Sequence, residues 1–503
     1  MNTNRKPTVV IGAGIGGLSA AIHLAAAGYP AVVLEQNPKV GGKMARLSQD
    51  GFTWDTGPSV ITMRPVLEAL FHTAGRRLED YLTLTPVDPI TRYHYSDGST
   101  LDATRDLPTM VAQIESRNPR DVEGFFGFLS HAAALERITG PIFVRGDPPT
   151  LHDLLRVPIR DMLKVDAWRT MEAAIQHWVE HPHLRALLGR YATYVGASPF
   201  RAPAVLNVIA HQELTAGIWY ARGGIYTIAQ AYRRLAEELG VQIRTRCRVS
   251  NIQVDSARHA TGVTLEDGSR ISARAVVANV DVITAYHDLL PRKIVKRRLQ
   301  RLLRPDLSLS GFVMLLGIRG RTSALAQHNI IFPPDYRQEF EDIFQRGMPP
   351  TSPTIYVTIS ARRDPDHAPD GCENWFVLVN APPVNAGSEV DFDWAVEAPL
   401  YRERVFDRLA AAGLDPRGRI LSAAYRTPLD LQTETGAWRG SLYGFSSNHP
   451  LNALRRPHPR DPRIRGLYFV GGTTHPGGGI PLVTLSGATV ARMIEADREA
   501  HAT

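Results

Sequence analysis

Thr8-Val9-Val10-Ile11-Gly12-Ala13-Gly14-Ile15-Gly16-Gly17-Leu18 decides how the rest of the chain is read. Four apolar or β-branched residues run into glycines at 12, 14 and 17, spaced G-x-G-x-x-G. Ile15, Leu18, Ile22 and Ala25 then recur on one face of a predicted helix. Gly12 permits the tight strand-to-helix turn, Gly14 lets a pyrophosphate approach the backbone, and Gly17 lets helix and strand pack closely. The first helical turn, with Gly16 in it, offers unpaired N–H groups to the anion. Gly28 ends the helix, and Ala31-Val32-Val33-Leu34 is a second buried strand running to Glu35. Glu35 stands close to the ~20-residue separation expected of the carboxylate that holds a ribose hydroxyl. A carboxylate there disfavours a 2′-phosphate, and so NADP. A glycine-rich turn alone is weak evidence; strand, glycines, helix, strand and acid in this order make a dinucleotide site the stronger reading.

At 503 residues the chain exceeds one ordinary core, so two or more subdomains are expected. Hydrophobic content of 44% and charged content of 21% are ordinary for a globular protein. The net charge of +7 is spread along the chain, which makes nucleic acid a poor partner. Cys247 and Cys372 have neither metal nor redox spacing and fit a reducing compartment; no metal site is expected. No run reaches the ~20 apolar residues of a membrane span. The basic start leads straight into a strand without a cleavage site, so no secretory signal is expected.

Outward from the fingerprint come Gln36-Asn37-Pro38-Lys39-Val40-Gly41-Gly42-Lys43-Met44-Ala45-Arg46 and then Gly51-Phe52-Thr53-Trp54-Asp55-Thr56-Gly57-Pro58-Ser59. Further on stand Tyr194-Val195-Gly196-Ala197-Ser198-Pro199-Phe200 and Trp219-Tyr220-Ala221-Arg222-Gly223-Gly224. The tail carries Phe469-Val470-Gly471-Gly472-Thr473-Thr474-His475-Pro476-Gly477-Gly478-Gly479-Ile480-Pro481 ahead of a predicted helix. Together these segments resemble the amine-oxidase-like flavoproteins and, more narrowly, the bacterial carotenoid (phytoene) desaturases, along essentially the whole chain. Leu442-Tyr443-Gly444, Arg455-Arg456-Pro457 and Gly471-Gly472 look most like the hydroxycarotenoid 3,4-desaturases, and diapocarotenoid oxygenases share parts of that tail.

The resemblance implies an α/β fold: a discontinuous Rossmann-like FAD-binding domain, an α+β substrate domain and a helical, membrane-associated region. It assigns residues 1–85, 216–285 and 426–503 to FAD, 86–215 to the helical substrate and membrane region, and 286–425 to the substrate domain, an antiparallel sheet with helices. FAD would meet Gly12, Gly14, Gly16, Gly17, Glu35 and Gln36 at its nucleotide end. Gly42, Gly471 and Gly472 would lie along its middle, Gly479, Ile480 and Pro481 beside the flavin, and Gly57 and Pro58 would also contact the cofactor. Val249 would touch the adenine side through its backbone. The family usually has arginine after the paired glycines; here Lys43 stands there with Arg46 three residues on, and both are candidates. His475 is the one titratable side chain in the flavin-facing loop, so it is the first candidate for proton handling; a turn histidine bonded to backbone is the competing reading.

The strand around Leu307–Gly317 and its followers predict an apolar pocket for a long isoprenoid substrate. Leu151–Arg156, Met162–Lys164 and Trp168–Met171 mix apolar and basic residues as an interfacial helix does, although a helix packed on its own domain fits equally. The basic run from Arg292 to Arg304 reads as a solvated helix face or a contact with anionic lipid. The expected protein is a cytoplasmic FAD-dependent carotenoid desaturase resting on the membrane surface, acting on phytoene, neurosporene or a 1-hydroxy derivative. The alternatives are a terminal oxygenase or ketolase of the same family, an FAD amine or alcohol oxidase on a soluble substrate, and a non-enzymatic FAD- and isoprenoid-binding escort. Oligomeric state is not legible.

Overall fold

The computed structural model describes residues 6–144, 146–149, 158–162, 164–166, 168–386 and 392–500. Thr8–Ile11 is buried on both faces and pairs in parallel on both sides, with Ala31–Leu34 and with Ala275–Ala278. Near-continuous apolarity is what such a strand requires. Leu467–Phe469 adds beyond Ala275–Ala278 and Gln242–Arg244 beyond Ala31–Leu34, completing a five-stranded parallel sheet from three distant parts of the chain. A hairpin turning at Asp267-Gly268 lies within a three-stranded antiparallel sheet whose first strand begins at Val249, with Cys247 and Arg248 ahead of it.

The fingerprint helix, Ile15–Ala26, is buried over more than the one face its apolar spacing marks: Gly16, Gly17, Ser19, Ala20 and Ala21 are buried as well. The reason is the C-terminal helix, Ile480–Glu499, which packs alongside it. Ser19 Oγ donates to the Thr484 carbonyl at 2.7 Å, and a Cβ at Gly487 would come 2.5 Å from Ser19 Oγ. Small residues on both helices allow that approach.

The second half is a seven-stranded sheet in which Ser310–Arg319, next to one edge, runs antiparallel to Cys372–Ala381 and to the edge strand Ile420–Arg426. Phe312, Met314, Leu316 and Ile318 pack on one face against the helix Trp394–Ala411. The alternate residues Val313 and Leu315 meet Phe52 and Trp54 on the other face. The hairpin Thr91–Ala103 joins this sheet, pairing in parallel with His328–Ile331.

Helices between Leu107 and Ala216 share a core with Tyr93 and Phe332 from that edge. Leu151–Arg156 and Leu163 lie outside the described residues. The remaining interfacial features do not share one face: Trp168 is 85% exposed, Met171 is buried, and Arg169 pairs with Asp166. The basic run forms a helix, Arg292–Leu302, that buries Val295 and Leu302 and turns Arg292, Lys293, Lys296, Arg297 and Arg301 outward. Among the described residues no helix is long and apolar enough to cross a membrane.

Candidate functional site

Two helix N-termini converge beyond the carboxyl ends of the parallel strands. Gly14 caps the fingerprint helix and Gly479 the C-terminal helix; neither start has a side-chain cap or an acid in its first turn. Free N–H groups and the positive ends of two dipoles therefore point into one groove, which suits an anion. Gly12 adopts φ +94°, and its N–H donates to the Leu34 carbonyl at 2.7 Å to close the turn. A Cβ at Gly17 would stand 2.2 Å from the Gly12 carbonyl oxygen, which explains why only glycine fits there.

The groove has a centre that the glycine spacing does not reveal. Asn279, just past Ala275–Ala278, puts its carboxamide where side chains at Gly14, Gly16 and Gly471 would stand, at 2.6, 3.0 and 2.8 Å from their notional Cβ atoms. A Cβ at Gly42 would meet Gly14 Cα at 3.3 Å, and one at Gly472 would meet Gly478 Cα at 3.3 Å. Gly479 faces open space, next to buried Ile480 and Pro481. Glycines from both ends of the chain thus form a cradle with room for backbone contact and none for side chains. This fits a diphosphate and its ribityl arm.

Glu35 is 5% exposed; its two carboxylate oxygens accept from Ala13 N at 2.7 Å and Asn37 N at 2.8 Å, fixing it at the end of its strand with lone pairs to spare. Cys247 N donates to the Glu35 carbonyl at 2.8 Å, which draws the segment before Val249 alongside. Gln36 is exposed. Gly57 is packed under the Lys43 carbonyl, 2.0 Å from its notional Cβ, and so ties the Gly-Pro segment to the Gly-Gly turn.

Of the two basic candidates, Lys43 enters the interior. Its ammonium donates to the Leu442 carbonyl at 2.7 Å, and burial holds its pKa below the ordinary value while nearby Asp281 opposes that. Burial in turn raises Asp281. Arg46 is committed elsewhere: it pairs with Asp55, donates to the Gly223 carbonyl and lies over the Tyr226 ring at 5.7 Å. It joins the segment after the Gly41-Gly42 turn to the one at Gly223-Gly224. Arg222 is exposed.

His475 is 6% exposed, and its Nε2 is 3.2 Å from the Gly146 carbonyl. Burial lowers its pKa, so the ring is neutral and donates that proton to backbone. This is the geometry of a turn histidine bonded to backbone, the competing reading. Tyr443 and Arg456 are titratable groups beside the same loop. Gly477 and Gly478 leave them space: a Cβ at Gly478 would stand 2.5 Å from the Tyr443 ring. Arg456 donates to the Gly472 carbonyl at 3.0 Å, and burial brings its pKa down to about 10; Tyr443 is pushed up to about 12. Asn279 and Asp281 could have been found from the Ala278-Asn279-Val280-Asp281 run at the end of a buried parallel strand, the place where such sheets bind ligands.

These features define a protein that holds a flavin dinucleotide between the two ends of its chain. Residues 15–316 match the flavin containing amine oxidoreductase family, and the chain belongs to it. A 4,4'-diapolycopene oxygenase of Methylomonas sp is 38% identical over 504 residues, 99% of this chain and 100% of its own. A lycopene-forming phytoene desaturase of Pseudescherichia vulneris is 38% identical over 495 residues, 97% of this chain and 99% of its own. The crystal structure of an oxidoreductase from Methanosarcina mazei shares the fold at 16% identity, with a TM-score of 0.66 over 97% of this chain and 100% of that one. The cofactor of the chain is FAD.

Proposed function

We propose that this protein is an FAD-dependent carotenoid desaturase that introduces double bonds into an acyclic carotenoid. The observation that carries the reading is end-to-end similarity to carotenoid enzymes in a chain whose glycine cradle is intact at both ends. Bound FAD supplies the two-electron acceptor for a hydride. The chain's own part is to hold and orient. Helix starts at Gly14 and Gly479 would grip the diphosphate, with Asn279 bracing the glycine turn by donating to the Gly12 carbonyl at 3.3 Å; Glu35 would hold the ribose; Gly57, Pro58 and the 471–481 loop would border the flavin. Where Phe52 and Trp54 stop covering this sheet face, Leu378 keeps accessible surface and would begin an apolar wall for a hydrocarbon that excludes water.

Terminal oxygenation of a carotenoid is the second reading, favoured by the equal identity to the oxygenase. We place the enzyme at the cytoplasmic face of a membrane, where so apolar a substrate resides. The outward basic face of Arg292–Leu302 and the exposed Leu303 beside it support that contact. Expression in cells that make phytoene, neurosporene or hydroxyneurosporene tests the activity, because each added conjugated double bond red-shifts the pigment. Red-shifted pigment from at least one of them is expected; unchanged spectra with all three reject the reading.

A further inference from the structure

The sheet face that meets Phe52 and Trp54 is apolar at one end and polar at the other. At the polar end the Tyr356 hydroxyl lies 2.7 Å from Ser59 Oγ and 2.7 Å from His328 Nδ1. Ser59 follows Gly57-Pro58, so this chain of hydroxyls starts beside the segment assigned to the flavin. Tyr356 pairs with Leu378, and both keep accessible surface in strands whose neighbours are buried. Yet burial pushes the Tyr356 pKa up to about 12 and brings His328 down to about 3. Accessible surface deep inside a protein marks the wall of an internal cavity.

Next to this wall, and close enough to perturb His328, lies Arg190, itself only 6% exposed. Its Nε donates to the Tyr93 hydroxyl at 2.6 Å and one Nη to Glu213 at 2.8 Å; Glu213 also accepts from Tyr194 at 2.5 Å and Tyr191 at 3.1 Å. A guanidinium carries five N–H groups, so donors remain that find no acceptor among the described residues. With the imidazole neutral, Nδ1 can accept from the Tyr356 hydroxyl and Tyr356 from Ser59, an arrangement that leaves lone pairs on Ser59 Oγ free to accept. A bare hydrocarbon could use none of these groups, and burying them against one is unfavourable.

We propose that this polar end, from Ser59 and Tyr356 to Arg190, is a subsite for an oxygen function, hydroxyl or carbonyl, carried by the polyene near the carbon that is oxidised. Glu213 already neutralises Arg190, so the site suits a neutral oxygen and not a carboxylate. The assignment rests on the carotenoid reading and on Gly57-Pro58 bordering the flavin.

The test is the ratio of kcat/KM for hydroxyneurosporene to that for neurosporene, measured with holoenzyme on liposomes. The wild type is expected to favour the hydroxylated polyene. Tyr356→Phe and Ser59→Ala keep the shape of the wall and should lower that ratio roughly tenfold, mainly through KM, with flavin content retained. Tyr194→Phe, which disturbs Glu213 and Arg190, should lower it independently. A wild type without preference, or variants with the wild-type ratio, overturns the subsite alone. Flavin-loaded protein that oxidises neither polyene overturns the carotenoid reading, and the subsite with it.

Discussion

Glu35 does two jobs with one carboxylate. It is placed to hold a ribose, and it satisfies the buried N–H groups of Ala13 and Asn37. Glu35→Ala is therefore expected to lose bound FAD and also to lower the stability of the apoprotein by about 1–3 kcal/mol per orphaned group. Flavin content after purification and the apoprotein melting temperature check both; full flavin content contradicts the ribose assignment. His328 makes a prediction of the opposite kind. Its pKa falls from an ordinary value near 6.5 to about 3, so on acidification the unfolded chain takes up a proton that the folded chain refuses. Stability from this residue is present above pH ~6.5 and is lost as the pH falls toward 3. Glu339, raised to about 7 by burial, runs the other way: its contribution is present at low pH and lost as the pH rises through 7. Replacing His328 by Gln should thus reduce the slope of unfolding free energy against pH, between pH 4 and 6, by about one proton or ~1.4 kcal/mol per pH unit. Denaturant titrations at several pH values measure it; parallel curves for wild type and variant contradict it. At this scale the glycines and Glu35 were legible because each answers to a local backbone demand. Tyr356 was not, since Ser59, which it meets, lies hundreds of residues away; Asn279 was legible by its place at the end of a buried strand, but its meeting with Gly14 and Gly471 was not. Lys43 and Arg46 could not be ranked from spacing because the direction of a flexible cation depends on the carbonyls and acids that folding brings near.

Helices and strands show the same division. The strand around Leu307–Gly317 follows from near-continuous apolarity, and the fingerprint helix from its spacing. What the pattern could not give was the neighbour. The parallel pairing of Thr91–His94 with His328–Ile331 depends on folding across the whole middle of the chain. The close packing of the fingerprint and C-terminal helices predicts that Gly487→Val will be severe: its first side-chain atom already meets Ser19 Oγ at 2.5 Å and Ala20 N at 2.6 Å. Overpacking of about 1–3 kcal/mol is expected, with the helix starts displaced and flavin lost, as read by thermal unfolding and flavin absorbance. Gly268→Ala, in a turn with nothing within 4 Å, should retain flavin and serves as the contrast. The basic helix gives a third element-level test. Each basic residue near an anionic surface contributes ~1 kcal/mol, so Lys293→Glu, Lys296→Glu and Arg297→Glu together should weaken binding to phosphatidylserine-containing vesicles roughly 100-fold or more. All three side chains point outward, so the fold should hold. Unchanged vesicle partitioning would place any membrane contact elsewhere on the surface.

For the molecule as a whole, the five-stranded sheet draws strands from residues 8–34, 242–278 and 467–469, and the seven-stranded sheet from 91–103 and 310–426. On the proposed function, the two ends of the chain make a nucleotide groove and its middle a wall, and a polyene on the wall passes its electrons to flavin in the groove. The most direct measurement mixes purified holoprotein, without oxygen, with liposomes carrying phytoene, neurosporene or hydroxyneurosporene, and records flavin and polyene absorbance together. The account predicts that the oxidised-flavin band bleaches in step with a red shift of at least one polyene. A flavin that stays oxidised while every polyene spectrum stands still would contradict it.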